Sequence, residues 1–155
     1  MSPGKFEVIG EHLQKGFERA GGGKSLANFD IAPSVTVILG DDVAGCQAMV
    51  KNFLALYIGG MGAKGKNFYN TYATALGYGE AAAKIQELYL GGDKAGAAAA
   101  VPDSLVDEVA LVGPESRIRE GAQAWLDAGK RNEVSTLMFG VMQPEALPIL
   151  ADIFL

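Results

Sequence analysis

The run Asp30-Ile-Ala-Pro-Ser-Val-Thr-Val-Ile-Leu39 is apolar and β-branched nearly throughout, with no regular polar face. A strand with one wet face alternates polar and apolar residues, so this run predicts a strand covered on both sides, at about residues 31–39. Pro33 belongs at its entrance, where a missing N–H costs least. Gly40-Asp41-Asp42 ends the strand and caps a helix whose stripe is Val43, Cys46, Val50, Phe53, Leu54 and Tyr57. Strand, tight turn and helix in that order make half of a βαβ unit.

The remaining elements are mostly helical. Phe6, Ile9, Leu13 and Phe17 recur at helical spacing, with Ser2 as cap, Pro3 in the first position and Gly21-Gly-Gly23 as the stop. Further helices are expected from Asn67 to Leu76, from Glu80 to Leu90, after Pro102, and from Gly113-Pro-Glu-Ser to about Gly129, the last with Ile118, Ala122 and Trp125 inward. Gly77-Tyr-Gly79 separates the first two of these. A second apolar strand is expected at 134–139 and a closing helix at 144–154. Two parallel strands joined through helices cannot complete a sheet by themselves, so the pattern looks like part of a larger α/β layer.

The 155 residues suit one domain. A net charge of −5 argues against a nucleic-acid or anionic-membrane surface. No apolar run reaches 18 residues, Met1-Ser-Pro-Gly-Lys5 lacks the layout of a signal peptide, and the single cysteine, Cys46, forms no internal disulfide. A reducing cytoplasm is the expected compartment.

Gly59-Gly-Met-Gly-Ala-Lys-Gly-Lys-Asn67 satisfies G-x-G-x-x-G and G-x-x-x-x-G-K together. Both motifs work by delivering a tight turn from a strand onto phosphate, and here an amphipathic helix precedes the glycines. Asn67 also stands where a P-loop needs Ser or Thr for magnesium. The bland reading is a helix stop, with Gly59 and Gly60 in left-handed geometry and Asn67 capping the next helix. A functional variant keeps the caps and adds Lys64 and Lys66 as anion contacts. Gly21-Gly-Gly-Lys-Ser25 is a helix terminator carrying a solvated lysine.

Other chemistry is sparse. His12, the only histidine, lies off its helix's apolar stripe. One Cys and one His make no metal constellation, Asp41 and Asp42 read as cap residues, and Ser135 and Thr136 lack a partnering base. Glu115, Arg117, Arg119 and Glu120 form a solvated helix face. No catalytic centre and no metal site follow from these residues.

Taken together, Asn67-Phe-Tyr-Asn70, Ala82 to Leu90, Ala99-Ala-Val-Pro-Asp103, Leu105 to Pro114 and Val134-Ser-Thr-Leu137 resemble the C-terminal half of luciferase-like flavin and deazaflavin oxidoreductases, most of all those described as coenzyme F420-dependent. The resemblance implies a partial (β/α)8 TIM barrel. It would comprise strand seven at 31–39, a helical insertion at about 42–112, strand eight at 134–139 and the closing helix, against roughly 250 residues for a whole barrel. It implies hydride transfer between F420, or alternatively FMN, and a small organic substrate, with the cofactor bound only by the complete barrel. Basic residues of the loop after strand six and of the insertion approach the phosphate in sugar-phosphate-oxidising relatives, which implies Lys5, Lys64 and Lys66 as substrate or cofactor phosphate contacts. The expected partner is a homo-oligomeric copy or a missing N-terminal half; the rival expectation is a non-catalytic remnant that self-associates.

Overall fold

The computed structural model describes residues 1–155. Its elements in order are α1 (Glu7–Ala20), β1 (Ser34–Leu39), α2 (Val43–Ala55), α3 (Phe68–Ala73), α4 (Gly79–Leu90), α5 (Lys94–Ala99), α6 (Asp103–Val109), β2 (Ala110–Gly113), α7 (Glu115–Lys130), β3 (Met138–Val141) and α8 (Ala146–Phe154). Wide π-type turns at Leu56–Gly60 and Thr74–Tyr78 extend α2 and α3. The three strands form one parallel sheet in the order β2-β1-β3, with Thr36 opposite Ala110 and Ser34 opposite Met138.

The unalternating run explains why β1 is central. Val35 and Val37 point to one face, where Leu111, Ile118, Ala122, Trp125 and Leu150 bury them under α7 and α8. Ile38 points to the other, into a second core of Cys46, Val50, Ile85, Leu105 and Val106 from the insertion helices. Helices on both faces are what a parallel sheet requires.

The sheet has three strands where the sequence predicts two. The sequence places no strand at Ala110-Leu-Val-Gly113, which follows Leu105, Val106 and Val109 of the expected helix without a break. In the structure α6 stops at Val109, Ala110 turns extended (φ −140°, ψ 161°), and all four residues are buried beside β1. The helical stretch after β1 therefore ends at Val109. Strand bounds shift as well: β1 begins after Pro33, and β3 lies at 138–141 because the Ser135 and Thr136 amides are drawn to the Ile31 carbonyl before regular pairing starts.

Helix α1 begins at Glu7, not Pro3, and has no side-chain cap, since the Ser2 hydroxyl is turned to Glu108. The closing helix likewise starts two residues late, at Ala146. Asp42 and Asn67 cap α2 and α3 as expected, accepting from the Gly45 and Asn70 amides at 3.0 and 3.1 Å. Gly59 and Gly60 are not left-handed. Tyr89 packs against both, so a Cβ on Gly59 would stand 2.5 Å from that of Tyr89, and one on Gly60 would strike the ring. Left-handed geometry falls instead at Gly65 and at Gly77, where it kinks the chain between α3 and α4.

Candidate functional site

A groove of 610 Å³ opens between the first half of β1 and the insertion, and 15 of its 17 lining residues are hydrophobic. Ser34, Thr36 and Ala110 make its floor. Phe53 and Tyr57 of α2 and Phe68, Tyr69 and Tyr72 of α3 make its aromatic wall, with Leu76, Leu105 and Val109 behind. Ring contacts order that wall: Tyr57 meets Tyr69 edge-on at 4.7 Å, and Phe68 lies parallel to Tyr72 at 6.2 Å. Phe53 and Phe68 remain 57% and 72% exposed, so the rim is apolar and open to solvent. Such a concave, mostly apolar lining with a few hydroxyls is the usual form of a small-molecule site.

Asn67 builds one end of this wall. Its amide nitrogen donates to the carbonyls of Tyr57 and Ile58 at 2.9 and 3.0 Å while its oxygen caps α3. One buried side chain thus satisfies the end of the α2 extension and the start of α3 together.

The three lysines fall in different places. Lys64 and Lys66 are exposed in the loop that precedes Asn67, and neither makes an ion pair or a side-chain hydrogen bond. Lys5 is engaged elsewhere, donating to the Glu108 carboxylate at 2.8 Å and the Leu76 carbonyl at 2.7 Å while its ammonium lies 4.9 Å from the centre of the Tyr78 ring. The structure does not gather the three into one cluster.

Glu108 is the hub that sequence reasoning missed. Ser2 Oγ (3.1 Å), Lys5 Nζ (2.8 Å) and Tyr78 Oη (2.6 Å) all donate to its carboxylate, joining the N-terminal segment, the kink after α3 and α6. Burial alone would raise the Glu108 pKa, but the bonds from Lys5, Tyr78 and Ser2 outweigh it and hold the carboxyl below its ordinary value. Lys5 is raised, chiefly by its bond to Glu108. Tyr78 is raised by burial and then by Glu108. The nearby Tyr72 phenol is also raised by burial; the Ser2 backbone opposes this, yet the hydroxyl has no well-formed hydrogen bond. No local pattern singles out Glu108 among the acids of α6, because its partners lie 30 to 106 residues away in sequence.

His12 is exposed on α1, Cys46 is buried in the insertion core, and no three His, Cys, Asp or Glu side chains come together to hold a metal. Arg119 pairs with Glu115 and with Asp152 of α8, at 2.8 Å each. No helix is long and apolar enough to cross a membrane.

The profile of the luciferase-like monooxygenase family matches residues 2–132, and the chain belongs to that family. A Mycobacterium tuberculosis protein provisionally described as a coenzyme F420-dependent oxidoreductase is 37% identical over 128 residues, which cover 83% of this chain and 37% of that protein. In fold, the chain is similar to the coenzyme F420-dependent tetrahydromethanopterin reductase of Methanopyrus kandleri, with a TM-score of 0.62, 19% identity, and coverage of 98% of this chain and 42% of the reductase. This chain therefore spans about two fifths of the length of the proteins it matches.

Proposed function

We propose that this chain is the C-terminal, substrate-side part of an F420-dependent oxidoreductase, its three parallel strands belonging to a partial (β/α)8 barrel. The observation that carries this reading is the family match across residues 2–132, joined to a relative described by its use of F420. F420 supplies a two-electron hydride carrier when bound, and FMN is the alternative in this family. The residues present do not fit the whole of such a cofactor: its ring could lie on apolar walls, but it carries several anionic groups and no lysine, arginine or histidine side chain lines the groove. Cofactor binding is therefore assigned to the assembled barrel, and the groove of this chain to the organic substrate.

A chimera tests this. The portion of the M. tuberculosis relative that has no counterpart here is fused ahead of Met1, and F420 and FMN are titrated by absorbance and fluorescence. F420 binding by the chimera, absent from the isolated chain, is the expected result. Preference for FMN would remove the F420 assignment, and no binding of either would remove the reading.

A second reading, a non-catalytic chain that self-associates, draws on β3. This strand ends the sheet, and Met138 is 51% exposed on it. Unpaired strand edges recruit further strands. Light scattering decides, since a concentration-independent monomer contradicts this second reading.

A further inference from the structure

We infer that the outer face of α2 is a dimerisation surface, on which two copies of the chain pair antiparallel, helix against helix. The inference does not rest on the cofactor reading, and it uses a surface other than the β3 edge. Three observations carry it. First, α2 is apolar on both sides. Its inner side, with Cys46, Val50 and Ala55, is buried in the insertion core, and Leu54 packs against that core. Every exposed residue from Val43 to Leu56 is nevertheless uncharged: Ala44, Ala48, Met49, Asn52, Phe53 and Leu56. Their spacing of three and four places them on one stripe. A helix apolar all round belongs between two packing partners, and a single copy supplies only one.

Second, the stripe offers no charge and almost no free polar group. Lys51, the one ionised residue of α2, is not among the exposed residues and is held by Asp103 of α6. Asn52, the one polar residue of the stripe, donates its amide back to the Ala48 carbonyl at 3.0 Å. The exposed sides of the other long helices are charged, with Glu7, Glu11 and Lys15 on α1 and Glu115, Arg119 and Glu120 on α7. Interface centres are depleted in charge and enriched in methionine and aromatic residues, and Met49 and Phe53 stand here at 39% and 57% exposure. Phe68, which shares the groove rim with Phe53, continues the patch. Isolated exposed apolar residues are ordinary, but a contiguous uncharged stripe marks an interaction site.

Third, the stripe is complementary to itself. With a two-fold axis between Asn52 and Phe53, an antiparallel copy sets Met49 against the partner's Leu56 and Asn52 against the partner's Phe53. Each contact then occurs twice, as an isologous interface requires. Ala44 and Ala48 keep the N-terminal half of the stripe low, which makes room for the bulkier half of the partner and lets the helix axes approach to about 8–10 Å. A charged partner would find nothing on this face to pair with, so a second copy is the occupant. Because Phe53 also lies on the groove rim, the dimer brings the partner's α2 beside each groove.

The test is light scattering on the full chain over a range of concentrations, with Met49→Glu and Leu56→Lys as separate variants. Both positions are exposed, so each variant should keep its fold, which circular dichroism checks. The unmodified chain is expected to dimerise. Each variant should raise the dissociation constant about tenfold or more, because its new charge is buried against an apolar residue of the partner. Mixing the two variants should restore a dimer, since the introduced charges then face each other across the axis. A monomer at every concentration, a dimer that both variants leave intact, or variants that stay apart when mixed would overturn the inference. Association through the β3 edge would instead survive both α2 substitutions and be broken by Met138→Lys, so the two surfaces are told apart. F420 binding by the chimera is scored separately, so the cofactor reading can fail while this one stands, and the reverse.

Discussion

Replacing Glu108 with alanine removes the acceptor shared by Ser2, Lys5 and Tyr78. The losses differ in kind. Ser2 is 1% exposed, so its hydroxyl is left buried without a partner, at about 1–2 kcal/mol. Tyr78 is part-buried and can turn to water, losing roughly the 1 kcal/mol of a net hydrogen bond. The Lys5 ammonium, 32% exposed, keeps the Leu76 carbonyl and regains solvent, so its ion pair counts for well under about 1 kcal/mol. A total near 3 kcal/mol is expected at pH 7, or about 6–12 °C in Tm for a chain of this size. The pH dependence supplies a second check. The folded Glu108 carboxyl titrates below its ordinary value of 4.5, so its contribution is fully present above that pH and is lost as pH falls through the lower, folded value. Urea denaturation of wild type and Glu108→Ala from pH 7 to pH 3 should therefore converge at the acid end. Curves that stay parallel down to pH 3, or a difference at pH 7 within about 0.5 kcal/mol, would refute the assignment of Glu108 as the hub.

Asn67→Asp keeps the cap acceptor but turns a carboxylate toward the carbonyls of Tyr57 and Ile58, so thermal melts should show a loss of about 3 kcal/mol or more although Asp is itself a good cap. Gly60→Ala forces Tyr89 off the α2 extension and should cost about 2 kcal/mol by urea titration, compared with about 1 kcal/mol for Gly65→Ala, which meets no neighbour and suffers only from its φ of +76°. Trp125→Ala, at 2% exposure beneath the sheet, should cost about 3–5 kcal/mol in the same assay. Lys64→Ala with Lys66→Ala should leave stability within about 0.5 kcal/mol, because neither side chain has a partner to lose.

What the sequence discloses here is what a few consecutive residues decide. The β1 run, the Asp42 and Asn67 caps, and the α7 stripe of Ile118, Ala122 and Trp125 each depend on spacing within about one element, and each stands in the structure, the strand shortened to Ser34–Leu39. β2 is illegible because its four residues follow α6 without a break, and only the position of β1 beside them makes them extended. Nothing around Lys5 tells of Glu108, 103 residues on, so its engagement in an ion pair could not be foreseen. The groove divides the same way: its aromatic residues sit on recognisable helices, but that α2 and α3 leave a cleft over Thr36 is a fact of tertiary packing.

The glycine-rich segment shows why motif spacing and chemistry can part company. Gly60, Gly62 and Gly65 match a phosphate fingerprint, yet each is glycine for a local reason: Gly60 for the Tyr89 ring, Gly62 for the Lys66 carbonyl 2.8 Å from where its Cβ would be, and Gly65 for its positive φ. These constraints bring the chain sharply from the end of the α2 extension back to α3, and the sharp return is what sets Phe68 and Tyr69 beside Tyr57. The glycines therefore shape an aromatic wall, whereas a strand-delivered phosphate loop would direct its backbone N–H groups at the ligand. Lys64 and Lys66 lie in this same turn, exposed and without an ion pair, so the segment keeps its shape through the glycines and Asn67 and not through charge.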